Sequence, residues 1–365
     1  MGITEYKCPN CSGVVNFDSG TQKMKCPYCD AQFELDVLQA YQKELSKEKT
    51  DVFGWEEYNK NSGSGDWQSG ELDVLASNSC PSCGAEIVGN KNTIATSCPY
   101  CGNTQIVQAQ VKGMFKPDFV IPFKLDKNAA KEALEKFQNK KRLLLRSFKQ
   151  QNRIDSITGI YIPFWLFDAD ADAQIRYKAT KVRHWSTSDY DYTETNFYSC
   201  TRNGSMDFKK VPVDGSEKMD DAYMDSIEPF NYSDLKEFSG AYLSGYLAEK
   251  YDVDAEASKP RANERITKSI IDEFTRTVVG YTSVTPVHSA VQLKHGLVQY
   301  ALFPVWMLNT KHKGVTYTFA MNGQTGKLIG KLPLDKGKYF ASLVGITAVL
   351  SGIFSGILLI LRNIL

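Results

Sequence analysis

The chain has 365 residues, too many for one compact core, and its 42% hydrophobic and 23% charged residues are ordinary for a folded protein. A formal net charge of +1 excludes a global field drawing it to nucleic acid or to an anionic membrane. The opening "MGITEYKCPNC" has no apolar h-region, and Tyr6 stands where a myristoylation signal wants Ser or Thr, so neither export nor a lipid on Gly2 is expected.

Eight of the nine cysteines fall in four C-P-x-C pairs, which is metal-binding spacing and not a disulfide framework. Cys8, Cys11, Cys26 and Cys29 make one box, over residues 1–45 with a short amphipathic helix at 34–45. Cys80, Cys83, Cys98 and Cys101 make the second, over 79–110, after a Gly/Ser-rich linker at 46–78. Each box predicts a zinc ribbon holding one structural zinc on four thiolates, two ions in all. Rubredoxin-like iron is the alternative that cysteine softness leaves open. Proline after each first cysteine presets the turn. Gly84, Gly102 and Asp30 supply the positive φ that the residue after the second cysteine tends to need. Both sites are closed, with no open position for catalysis.

The ribbons also lack the basic stripe of a nucleic-acid reader. Residues 1–45 set Lys7, Lys23, Lys25 and Lys43 against six acids, and each four-thiolate zinc adds two further negative charges. Trp55 and Trp67 flank the linker and receive no role.

Residues 111–338 predict a β-rich α+β body. Asp126 is the expected N-cap of a helix whose later part, 136–153, is basic on one side and leucine-rich on the other. A solvated face over a core stripe is expected there, with contact to lipid headgroups as the alternative. Strands follow from residue 159 to 213. In "DADAD", Asp168, Asp170 and Asp172 share one strand face, and without the glycine and glutamate of a calcium loop they read as a polar face. Cys200 has no His or Cys partner in sequence and reads as an inert thiol. A second amphipathic helix in "KPRANERITKSIIDEF" leads to a second meander with Asn322-Gly323 as a hairpin signal. "YIPFWLF" (161–167) and "YALFPVWML" (300–308) each open a meander after a helix. The body therefore divides into two related α+β units, 111–213 and 214–338.

Four scattered histidines and the absence of a phosphate loop, H-E-x-x-H or Gly-x-Ser-x-Gly offer no positive sign of an enzyme. In the last segment, 339–365, Phe340 to Leu361 carries no charge and would span about 33 Å as a helix, enough for a bilayer core of about 30 Å. Lys327, Lys331, Lys336 and Lys338 precede it and only Arg362 follows, which predicts a single-pass tail anchor with the N-terminal body in the cytoplasm. Gly352-x-x-x-Gly356 offers a face for a second copy, hence a homodimer.

The paired boxes, "GIYIPFWLFDADAD", "MDSIEPFNY", "YALFPVWMLN" and "FAMNGQTGK" together resemble a family of bacterial membrane-anchored proteins, common in Gram-positive species and described as TFIIB-type zinc-ribbon proteins. The likeness covers nearly the whole chain. Some members carry helicase-like names, but no helicase motif occurs here. Others resemble a component encoded beside phage-shock and SPFH-type genes, which implies a role in envelope stress. The expected function is a non-enzymatic adaptor docking protein partners at the cytoplasmic membrane face. A membrane-tethered nucleic-acid-binding regulator is the alternative, and a hydrolase would require a deep polar pocket in the body.

Overall fold

The computed structural model describes residues 5–56, 67, 71–72, 75–90, 97–105, 107–109, 115–141, 156–313 and 315–364. The chain begins with the short strands β1 (Asn16–Asp18), β2 (Lys23–Lys25) and β3 (Gln32–Phe33), then helix α1 (Leu35–Leu45) and β4 (Val52–Trp55). Next come β5 (Leu75–Ser79), β6 (Glu86–Asn90), β7 (Val107–Ala109), β8 (Phe119–Val120) and helix α2 (Lys127–Asn139). The long hairpin β9 (Thr158–Ser186) and β10 (Asp191–Asp214) leads to helix α3 (Asp221–Ile227), β11 (Lys236–Glu237), β12 (Leu247–Glu249) and helix α4 (Ala255–Arg276). Then β13 (Ser283–His312), β14 (Val315–Asn322) and β15 (Leu328–Gly330) precede the C-terminal helix α5 (Lys336–Ile364). The architecture is α+β, with a sheet-rich body, two four-cysteine clusters and one apolar C-terminal helix.

By internal contacts the chain forms two compact units that interleave in sequence. One takes residues 1–57, 167–211 and 259–298; the other takes 58–166, 212–258 and 299–365. The consecutive units read from sequence, 111–213 and 214–338, partition the chain differently. In the first unit Ala169, Ala171, Ala173, Ile175 and Tyr177 line one face of β9 and pack against Ile266 and Ile270 of α4. Alternation of Ala with Asp and Gln follows from that: small residues let the helix approach, and polar ones face outward.

The second unit explains the echo between the two Pro-x-Trp stretches. β12 runs parallel to β9, pairing Leu247 with Ile160 and Ala248 with Tyr161. β8 runs parallel to β13, pairing Phe119 with Ala301 and Val120 with Leu302. Each short strand thus pairs with the long strand that follows the other's helix. The helix caps repeat too: Asp126 accepts from the Ala129 amide and Asp254 from the Ala257 amide, both at 2.8 Å. Trp165 donates its indole N–H to the Val253 carbonyl (2.9 Å), and Trp306 donates to the Leu125 carbonyl (3.0 Å). The Pro163 and Pro304 carbonyls accept from the amides of Gly215 and Gly323, again both at 2.8 Å. The two Pro-x-Trp stretches thus exchange strands and indole hydrogen bonds reciprocally. The buried rings of Phe164, Phe230 and Phe303 fill one core cluster, and Leu134, Trp306 and Phe319 belong to another.

Asn322-Gly323 does lead into the β14–β15 hairpin, though not as a two-residue turn. The Asn322 side chain is fully buried, and its Oδ1 accepts from the amides of Gln324 and Thr325 while Gly326 takes φ +77°. The basic stretch expected over 136–153 is described only to Lys141; Arg142 to Arg153 lie outside the described residues.

Candidate metal centres

All four C-P-x-C turns adopt one geometry. The first cysteine's amide bonds the carbonyl five residues on, and the residue four positions on bonds back to that cysteine's carbonyl: Cys8 with Gly13 and Ser12, Cys26 with Ala31 and Asp30, Cys80 with Ala85 and Gly84, Cys98 with Asn103 and Gly102. The closing residue has positive φ each time, 63° at Ser12, 56° at Asp30, 73° at Gly84 and 72° at Gly102. Ser12 is the one position that composition did not flag. Tight closure points both sulfurs of each turn toward the facing turn.

The eight cysteines then assemble into two clusters, Cys8/Cys11/Cys26/Cys29 and Cys80/Cys83/Cys98/Cys101, with the sulfurs of each within 4.8 Å of one another. Cross-turn separations are 3.7 Å (Cys8–Cys29), 3.4 Å (Cys11–Cys26), 3.6 Å (Cys80–Cys101) and 3.6 Å (Cys83–Cys98). A tetrahedral zinc with four thiolates at about 2.3 Å requires sulfurs about 3.8 Å apart. Disulfides would require about 2.0 Å. Both cages therefore suit one metal ion each, and their donor set is that of a closed structural site.

Without metal the thiols do not titrate alike. Burial raises Cys26 and Cys80, but backbone amides and neighbouring thiols outweigh it and bring each down to about 7. Burial dominates at Cys8, pushing it up to about 12, and pushes Cys98 higher still. A divalent ion that displaces all four protons is the natural resolution of so crowded a set.

The two cages sit in different surroundings. In the first unit, Cys8 and Cys26 form a small buried cluster of their own with Val15 and Leu38, against which the half-buried Met24 and Phe33 pack. Lys178 on β9 fastens that ribbon by donating to the Asn10 carbonyl at 3.0 Å, and Arg176 pairs with Glu48 at 2.5 Å beyond α1. Cys11 is exposed, as are Phe17 (61%) and Tyr28 (77%). In the second unit, Cys80 and Cys98 belong to the main core with Ile87, Ile160, Phe164 and Phe303. There β6 pairs with β12 in an antiparallel ladder. Asn309 donates to the carbonyls of Pro99 and, at 2.7 Å, Tyr100. The Tyr100 hydroxyl donates to Glu249 at 2.5 Å, and Ser216 donates to the other carboxylate oxygen at 2.8 Å. Burial raises Glu249 to about 8 against the opposing pull of those two donors. Neither Glu249 nor Asn309 carried a signal in the sequence.

No other group of three or more ligating side chains occurs among the described residues. Each carboxylate of "DADAD" has a partner: Asp168 pairs with Lys210 and Asp172 with Lys294 at 2.7 Å, and Asp170 lies 2.9 Å from the His295 ring Nδ1. A polar depression of about 430 Å³ beside Asp172 is lined by Lys49, Gln174, Asn203 and Ser205. Ser205 donates to Asp172, whose carboxyl Lys294 and Ser205 hold below the usual range, so the serine has no effective base. Cys200 lies 3.2 Å from the Tyr281 hydroxyl. At the C-terminus, Lys336–Ile357 of α5 is long and apolar enough to cross a membrane, and none of it is buried.

Among known proteins, the uncharacterized protein YdjG of Bacillus subtilis (strain 168) is 38% identical over 344 residues, covering 94% of each chain. The chain belongs to the YdjG family. Two ribbons could not account for 344 aligned residues, so the YdjG relationship is one of body and ribbons together. No protein-family model and no solved structure matches the chain.

Proposed function

We propose that this protein is a non-enzymatic membrane-anchored adaptor, with zinc as the metal in both cages and the first ribbon as its docking face for a protein partner. One contrast carries the reading. "CPYC" occurs in both ribbons, yet Tyr28 is 77% exposed while Tyr100 is tied to a buried carboxylate. The second ribbon is therefore consumed by the body it staples, and the first offers Phe17 and Tyr28 to another molecule. Lys23 and Lys25 beside the first cage pair with Glu34 and Asp30, which weakens any claim on phosphate. The apolar helix and the lysines before it support a single-pass anchor with the body in the cytoplasm. The resemblance to TFIIB-type ribbon proteins encoded beside phage-shock genes supports a place in envelope stress.

Crosslinking in native membranes tests the adaptor reading. A partner captured by the intact chain should be lost in Phe17→Ser/Tyr28→Ser, provided that variant keeps both metals and its melting temperature. Undiminished capture would refute the docking face. A salt-sensitive shift of DNA or RNA, with a log–log slope of several units, would restore the nucleic-acid-binding regulator. Deleting residues 339–365 should release the body from membranes; retention in high salt would refute the anchor.

A further inference from the structure

From Arg183 to Ser199 every residue of the β9–β10 hairpin is exposed, so this two-stranded tip has no core of its own. Such a ribbon is expected to be polar. Instead one face carries Trp185, Tyr190, Tyr192 and Tyr198, with Tyr281 beside them. Trp185 and Tyr192 stack (5.3 Å between centroids, 8° between planes), and Tyr198 meets Tyr281 at 5.2 Å. Lys181 lies 5.6 Å from the Tyr198 ring and 5.3 Å from that of Tyr281, and Arg183 lies 5.4 Å from that of Trp185. Among the described residues neither cation makes an ion pair; of the tip's three acids Glu194 shares this strand face, while Asp189 and Asp191 sit at the turn and accept from Ser188 and Ser186.

We propose that this hairpin tip is a docking surface for an anionic phospholipid bilayer. Exposed tryptophan and tyrosine with polar atoms outward are the side chains that settle at the headgroup boundary, and unpaired Lys181 and Arg183 complement lipid phosphates there. Single-stranded nucleic acid fits less well. Base recognition needs free ring faces and a cationic track, whereas Trp185 already stacks on Tyr192 and lies against Arg183, and the face carries two cations. Cross-strand stabilisation accounts for the Trp185–Tyr192 stack but not for Tyr190, which is 68% exposed. The inference rests on the membrane-anchored reading above, since an anchor would keep every part of the chain near a bilayer.

The test uses the full chain in vesicles containing brominated lipid, with Trp185 emission isolated as the difference between wild type and Trp185→Phe. In phosphatidylglycerol vesicles Trp185 should be quenched strongly, in phosphatidylcholine vesicles weakly. Lys181→Gln/Arg183→Gln should lower the former to the latter. An unquenched Trp185 in vesicles that demonstrably carry the protein overturns the proposal. If the chain fails to float with vesicles, the anchor reading fails instead, and quenching when vesicles are added to the soluble chain still decides the tip. A shift of Trp185 emission by an oligothymidylate at physiological salt, without lipid, would assign the ladder to single-stranded nucleic acid and overturn it as well.

Discussion

Replacing Cys98 by serine removes one thiolate from the cage built into the main core. With zinc as the proposed metal, three thiolates would hold it weakly, and structural zinc contributes an apparent 10–16 kcal/mol or so to small ribbons. The loss would not stop at the ribbon. β5 pairs with β6 and β6 with β12, burying Leu75, Ile87, Val88 and Leu247 to 5% exposure or less. At about 1.5–3 kcal/mol per buried side chain, these four contribute up to about 6–12 kcal/mol, an upper bound because the unfolded chain is partly compact. Domains of this kind are stable by only about 5–15 kcal/mol, so releasing that ladder is enough to unfold the body.

Cys11→Ser is the matched control. It spoils a cage whose buried companions are only Cys8, Val15, Cys26 and Leu38, and the body then loses little beyond the Lys178 and Arg176 contacts. Charged hydrogen bonds of that sort are worth about 1.5–3 kcal/mol each, a shift of several degrees. Both variants of the purified full-length protein should retain about one zinc, against about two for the wild type, by elemental analysis. Thermal unfolding followed by tryptophan emission should collapse in Cys98→Ser and shift modestly in Cys11→Ser. Equal melting temperatures for Cys98→Ser and wild type, with one metal gone, would refute the argument that the second ribbon is a structural part of the body.

Glu249 gives a pH prediction. The folded state keeps its proton up to about 8, while the unfolded state releases it above the ordinary 4.5, so stability should fall as pH rises between those values and level off beyond. Glu249→Gln should flatten that slope and be the more stable form at pH 8.5 by a few kcal/mol; denaturant titrations at several pH values check this. For the reciprocal indole bonds, Trp165→Phe and Trp306→Phe should each remove the indole donor from a half-buried carbonyl and cost about 1 kcal/mol in chemical denaturation, with similar values for the two. A large cost at one site and none at the other would mean that the two halves are not energetic equivalents.

Much of this was legible in the residues. The cysteine boxes were readable because four thiolates around one ion impose a spacing that few other constraints imitate. The Asp126 cap was legible because its acceptor acts three residues away, and the apolar tail because length and charge alone define a candidate span. The likeness of the paired Pro-x-Trp stretches was readable, but not the strand exchange between them: β8 and β12 are two or three residues long and carry no periodicity to read. Ser12 passed unnoticed since serine has no special claim on positive φ, and the knuckle imposes it regardless. Glu249 and Asn309 lie far along the chain from the cage they brace, and no local pattern encodes a partner at that distance.

The contrast between Tyr28 and Tyr100 shows where such reading ends. Both sit third in an identical Cys-Pro-Tyr-Cys turn, with the same backbone closure and the same two sulfurs directed at a metal. Their fates diverge only because the second unit supplies a buried carboxylate for Tyr100 whereas the first leaves Tyr28 in solvent. A buried phenol without a partner would be costly, so Tyr100 requires Glu249. An exposed phenol costs nothing, so nothing in the fold requires Tyr28 to be aromatic. Its ring lies against Gly13, where a Cβ would stand 2.5 Å from it, so the turn is built to seat an aromatic side chain that the fold itself does not cover. An aromatic seated yet uncovered is the feature through which the first ribbon could meet a partner.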